Sequence, residues 1–210
     1  MTPTTPAPMQ IGNRAIGPDQ PPFIIAELSA NHNGSLENAL AIIDAIAEAG
    51  ADAVKLQTYT ADTMTLDCDR EDFQLREGPW AGRSLYELYE WAHTPWAWHE
   101  QLFARARERG LIAFSSPFDA TAVDFLEQFD PPAYKIASFE LVDIPLIEYA
   151  AAKGRPLIMS TGMADRTEVM EAVAAARRQG CEQICLLHCT SGYPTPPEEA
   201  DLRTLPHLAE

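Results

Sequence analysis

FIIAELSANHNGSLENALAIIDAIAEAGADAVKLQT, residues 23–58, holds one complete strand–helix–strand unit and sets the reading of the whole chain. FIIAEL is short, apolar and bounded by prolines and polar residues, as a strand buried on both faces is. Past the polar stretch SANHNG, Ser35 is a good N-cap, and apolar residues recur at helical spacing over 36–49. Gly50 then closes the helix as a C-terminal glycine does. AVKLQ (53–57) is a second apolar run of strand character. Two strands joined by a crossover of this length run parallel, and the crossover is right-handed.

The same alternation continues downstream. Strands are predicted at 111–115, 133–137, 156–160 and 184–188, and helices at about 84–92, 95–109, 119–129, 143–153 and 165–179. A last helix is predicted to start near Pro197. Residues 58–83 read as an unusually long loop, and such loops are more often functional than not. Upstream, turn signals in MQIGNRAIGPDQPP (9–22) point to a small hairpin, and residues 1–10 read as a disordered tail before a domain over 11–210. The count is six strand–helix units behind a hairpin. A closed TIM-type (β/α) barrel has eight. No glycine-rich dinucleotide fingerprint and no P-loop follow the first strand, which disfavours an open nucleotide-binding sheet. The expected fold is therefore a TIM-type (β/α) barrel with about six of its eight units.

In such a barrel the C-terminal strand ends converge on one mouth, where active sites sit. Here those ends read AELSANHNG (26–34), VKLQT (54–58), FSSPF (114–118), YKIAS (134–138), IMSTGM (158–163) and LLHCTSGYP (186–194). The chain has three lysines, and two of them, Lys55 and Lys135, lie inside these apolar runs. A buried ammonium is costly unless it is compensated, so two at equivalent strand ends point to an anion site. Around them stand Glu27, Gln57, Ser116, Ser138, Ser160, Ser191 and Tyr193. Cations for phosphate and carboxylate, hydroxyls and amides for sugar hydroxyls, and one carboxylate suit a small, charged, hydroxylated substrate.

The formal charge of −16 argues against a nucleic-acid surface, which needs a basic footprint. It also requires positive groups to be concentrated wherever an anion binds. Nothing reads as a signal peptide or membrane span, so a cytoplasmic, soluble protein is expected. Cys181, Cys185, Cys189 and His188 look like metal ligands at first sight. On a strand through 184–189, however, Cys185 and Cys189 lie roughly 13 Å apart with His188 on the opposite face. Reduced cysteines are the better reading. His188 is read as a core histidine, and Trp96, Trp98 and His99 as packing residues.

Taken together, AELSANHNGS, AGADAVKLQTYT, AHTPWAWH, PAYKIASFE, STGMA and LLHCTSGYPTP resemble the N-terminal barrel of the sialic acid synthase family over about residues 11–210. The AELSANHNG form, TMTLD (63–67) and LYELYEWAHTPWAWH (85–99) resemble its pseudaminic acid branch. The resemblance implies condensation of phosphoenolpyruvate with an open-chain amino-sugar aldehyde, 2,4-diacetamido-2,4,6-trideoxy-altrose, to give a nonulosonic acid and phosphate. It implies a divalent cation, manganese or magnesium, and a homodimer. Position by position, Lys55 and Lys135 hold the phosphate and carboxylate of phosphoenolpyruvate, Ser116, Ser138 and Ser160 donate to the same groups, and Gln57, Ser191 and Tyr193 line the pocket. Glu27 faces the sugar or the reacting carbons. Ser191 stands where the N-acetylneuraminate branch commonly has asparagine.

The metal-binding histidines of the family are expected beyond residue 210, as is a small C-terminal antifreeze-like domain. The chain is therefore expected to resemble a truncated synthase, inactive as it stands. Three alternatives remain: an N-acetylneuraminate synthase, a Schiff-base aldolase using Lys55 or Lys135 as the amine, and a non-catalytic remnant.

Overall fold

The computed structural model describes residues 8–78, 80–192 and 194–209. The expected hairpin is present: β1 (Met9–Ile11) pairs antiparallel with β2 (Arg14–Ile16). Met9 and Gln10 thus belong to a strand, which corrects the tail assigned to 1–10; residues 1–7 of that tail lie outside the described residues. The chain divides into two compact units, Ile24–Asp130 and a second one running from Pro131 onward and including the hairpin segment up to Phe23.

In the first unit, β3 (Ile25–Glu27), β4 (Ala53–Thr58) and β5 (Ile112–Pro117) are parallel neighbours in that order. The register sets Glu27 beside Lys55 and Gln57 beside Ser116. Crossover helix α1 (Leu36–Glu48) starts where the Ser35 side chain accepts from the Asn38 amide, and it buries Ala39, Ile43 and Ile46. It ends at Gly50, whose φ of +80° lets the Ala51 amide turn back to the Ile46 carbonyl at 3.3 Å. β4 shows why parallel strands read as continuous apolar runs, since Ala53, Val54 and Leu56 are at most 1% exposed. Burying Leu56, or Phe114 of β5, stabilises the fold by roughly 1.5–3 kcal/mol each.

The segment 58–83, expected as one unusually long loop, contains regular structure. It holds α2 (Ala61–Met64), a 3₁₀ turn at Glu71–Phe73 and an antiparallel bridge between Gln74 and Ser84. After α3 (Leu85–Ala92), the helix expected at 95–109 is a 3₁₀ turn, Trp96–Trp98, followed by α4 (His99–Glu108). Pro95 heads that turn and has no amide to extend a helix backwards. α5 (Ala120–Glu127) is capped by Asp119, whose carboxylate accepts from the Thr121 and Ala122 amides. Ser115 and Ser116 are therefore strand residues of β5 and take no part in that cap.

In the second unit, β6 (Tyr134–Ile136), β7 (Leu157–Ser160) and β8 (Ile184–Leu187) are likewise parallel neighbours. They alternate with α6 (Ile144–Ala151), capped by Asp143, and α7 (Arg166–Arg178), which opens with an Asp165/Glu168 capping box. The hairpin is tied to this unit by the Gln10 amide, which donates to Gln183 Oε1 at 2.7 Å. β8 stops at Leu187, one residue short of the expected end, so His188 and Cys189 follow the strand. The last helix also departs from expectation. Pro197–Glu199 form a single 3₁₀ turn, and α8 spans only Thr204–Leu208. Six strands, each followed by helix and parallel within its unit, give the fold class of a TIM-type (β/α) barrel with six of eight units in this chain. No helix among the described residues is long and apolar enough to cross a membrane.

Candidate active site

The polar strand ends of Ile24–Asp130 gather around Lys55. Its Nζ lies 3.4 Å from Glu27 Oε1, and the two side chains are exposed to 9% and 57%. The ammonium is thus buried while its counter-charge stays in solvent. Glu27 is approached by the Ser29 hydroxyl at 3.5 Å, and Ser29 adopts a φ of +48°, an uncommon left-handed conformation for a non-glycine residue. Side chains alternate along a strand, so Lys55 and Gln57 share one face of β4 while Leu56 and Thr58 share the other. Ser116, opposite Gln57, is 1% exposed, and its hydroxyl has no hydrogen-bond partner. Buried polar atoms in native proteins are nearly always paired, so this hydroxyl is available to a ligand.

The adjacent Ser115 turns the other way. Its hydroxyl lies 2.7 Å from Thr58 Oγ1, which lies 2.8 Å from His99 Nε2. His99 sits among Phe103, Phe125 and Phe129, and burial pushes its pKa down to about 4. The ring is therefore neutral near pH 7, and it is a bonded polar group as well as a packing residue.

The strand ends of the second unit gather around Lys135. Its Nζ donates to Ser160 Oγ and to the Ile136 carbonyl, each at 2.7 Å. Lys135 and Ser160 are both 6% exposed. Ser138 and Ser191 converge on Gly162: a Cβ at that position would collide with Ser191 Oγ and lie 2.7 Å from Ser138 Oγ and 3.1 Å from the Cys189 carbonyl. The glycine leaves both hydroxyls the space over its backbone that a side chain would take. Thr161 donates to the Leu187 carbonyl at 3.1 Å, which holds the turn after β7 against β8. Tyr193 lies outside the described residues. His188 donates through Nε2 to the Ala200 carbonyl at 2.7 Å, so it is engaged with backbone.

One residue the sequence reading passed over stands in this cluster. Glu140, in the 3₁₀ turn Phe139–Val142, has a buried Oε2 without a hydrogen-bond partner. Burial pushes its pKa up; a backbone hydrogen bond and the Lys135 charge oppose the shift. A carboxyl shifted in that direction keeps its proton to a higher pH than an ordinary one. The available signal was the acid two residues past Ser138 in YKIASFE, but nothing in the spacing says that it turns inward. Burial likewise raises the Cys185 thiol, against the pull of Lys135. Among the described residues no group of three or more His, Cys, Asp or Glu is placed to hold a metal ion.

The model of the NeuB family matches residues 42–210. Over 202 residues the chain is 48% identical to pseudaminic acid synthase of Campylobacter jejuni, covering 96% of this chain and 58% of that protein. The crystal structure of the spore coat polysaccharide biosynthesis protein spsE from Bacillus subtilis superposes with a TM-score of 0.81 at 41% identity, over 97% of this chain and 53% of that one. The N-acetylneuraminic acid synthetase of Leptospira borgpetersenii, solved with citrate, superposes with a TM-score of 0.84 at 30% identity, over 96% and 65%. The chain thus spans little more than half the length of the Campylobacter and Bacillus proteins.

Proposed function

The chain belongs to the NeuB family, and on that footing we propose that the protein carrying it condenses phosphoenolpyruvate with 2,4-diacetamido-2,4,6-trideoxy-altrose. The products are the nine-carbon keto acid and phosphate. The observation that carries the reading is Lys135, an ammonium buried at a strand end, where it donates to Ser160 and to the Ile136 carbonyl and its charge acts on the Glu140 carboxyl. Such a group serves a small anion better than it serves stability. The 48% identity to a pseudaminic acid synthase favours the trideoxy sugar over N-acetylmannosamine.

In this reading C3 of phosphoenolpyruvate attacks the aldehyde, positive charge develops at C2, water adds there, and phosphate leaves by C–O cleavage. The resemblance assigns Lys55, Lys135, Ser116, Ser138 and Ser160 to the anionic groups of phosphoenolpyruvate. Gln57, Ser191 and Tyr193 are assigned to the pocket, and Glu27 to the sugar or the reacting carbons. Glu140 Oε2 is the candidate for the proton that the aldehyde oxygen takes up, replenished from the water that adds at C2. A manganese or magnesium ion remains part of the proposal as a Lewis acid, but the described residues do not form a site that fits it.

Phosphate release by the full-length protein, with the trideoxy-altrose against N-acetylmannosamine, tests the proposal. Faster release with the former is expected. Preference for N-acetylmannosamine assigns the neuraminate reaction instead. A borohydride-trapped pyruvate adduct on Lys55 or Lys135 overturns the condensation in favour of a Schiff-base aldolase.

A further inference from the structure

His99, Thr58 and Ser115 are each 0% exposed, and their polar atoms bond to one another across three elements. The direction of every bond can be assigned. His99 Nδ1 faces the Pro95 carbonyl at 3.3 Å, and a carbonyl only accepts, so Nδ1 carries the proton. Nε2 of the neutral ring is then an acceptor, and Thr58 donates to it at 2.8 Å. The Thr58 proton being committed, Ser115 donates to Thr58 Oγ1 at 2.7 Å. The result is a one-way chain: Ser115 to Thr58 to His99 to the backbone of the turn preceding α4.

Three polar groups buried in an aromatic surround are not needed to fill it. Apolar side chains of similar volume would pack there at little or no cost in stability. What the chain does hold is the ends of two strands. Thr58 follows Gln57 directly, and Ser115 directly precedes Ser116. By strand alternation Gln57 and Ser116, register partners of one another, face the side opposite to Thr58 and Ser115. A clamp between Thr58 and Ser115 on one face therefore sets the spacing of Gln57 and Ser116 on the other.

We propose that His99 is a positioning residue, which through Thr58 and Ser115 locks the ends of β4 and β5 so that the Gln57 amide and the unpartnered Ser116 hydroxyl meet the substrate at one fixed separation. The inference rests on the phosphoenolpyruvate reading above for the identity of that substrate. Its substance is a division of labour between faces of the same two strands. The inward face recognises the substrate, and the helix-facing side sets the geometry of recognition.

The experiment is calorimetric titration of the full-length protein with phosphoenolpyruvate, alongside thermal melting. Thr58→Val keeps the volume and removes both bonds. It is expected to weaken binding about tenfold, the ratio given by about 1.4 kcal/mol of lost substrate contact at Gln57 and Ser116. Thr58→Ser is expected to bind within about twofold of wild type. His99→Phe should mimic Thr58→Val, His99→Gln should rescue by restoring an acceptor, and the double variant Thr58→Val/His99→Phe should be no weaker than either single one. A Thr58→Val protein that melts earlier yet binds with wild-type affinity overturns the proposal. If wild type itself fails to bind phosphoenolpyruvate, the functional reading falls, and the positioning role is judged by the crystal structure of Thr58→Val. Displaced Gln57 and Ser116 side chains support it; unmoved ones overturn it.

Discussion

Lys55 and Lys135 are buried to nearly the same degree, 7% and 6% exposed, yet the two units hold their ammonium groups in different ways. In Ile24–Asp130 the counter-charge is Glu27, 57% exposed, so solvent screens much of the pairing and the carboxylate is free to move aside. In the unit from Pro131 onward the ammonium is fixed by two short bonds to neutral oxygens, with a buried carboxyl, Glu140, adding its influence. The first arrangement is adjustable, and the second is preorganised. Preorganised charge does more for a reacting anion because little reorganises when the anion arrives.

Lys135→Met is expected to reduce kcat/KM for phosphoenolpyruvate about a thousandfold, and Lys55→Met about a hundredfold, in phosphate-release assays of the full-length protein. Equal losses, or the reverse order, would show that the mode of holding the lysine does not matter.

The units also differ in the sign of their pH response. The folded-state pKa of His99 is lowered from 6.5 to about 4, so the unfolded chain binds the extra proton first as pH falls. Stability is then lost on acidification through that window, by up to roughly 3 kcal/mol. The pKa of Glu140 is raised from 4.5, so its contribution is complete below pH 4.5 and is lost as pH rises through the folded value. Thermal melts of His99→Gln should lose the acid-side decline, and those of Glu140→Gln should lose a smaller alkaline-side one. A wild-type slope retained by either variant would assign the titration to another group.

The smallest expected effect tests the glycine contact of the second unit. Gly162→Ala forces Ser138 and Ser191 apart and should cost about 1–3 kcal/mol of stability, with phosphoenolpyruvate binding about tenfold weaker. Unchanged binding would remove Ser138 from the proposed anion contacts and Ser191 from the proposed pocket.

Much of this was legible in the residues. The Ser35 cap, the Gly50 close and the apolar run around Lys55 define a strand–helix–strand unit without any tertiary information, because each is a local backbone preference. The segment 58–83 departs from expectation for the opposite reason. Its short helix and the Gln74–Ser84 bridge depend on contacts that composition does not encode. The helical spacing of Trp96, Trp98 and His99 reads as packing, whereas Thr58, forty-one positions away, lies outside any local pattern.

Short-range periodicity and capping fix the hairpin, the six parallel strands, the main crossover helices and their order, and put two lysines at strand ends. Which of two adjacent serines is left without a partner and which bonds to Thr58, that a Glu140 oxygen is buried, and that two serine hydroxyls crowd Gly162 emerge only once the chain has folded. Each of these depends on burial and on partners distant in the chain. Burial, which no local pattern specifies, is what turns ordinary side chains into costly and chemically useful ones.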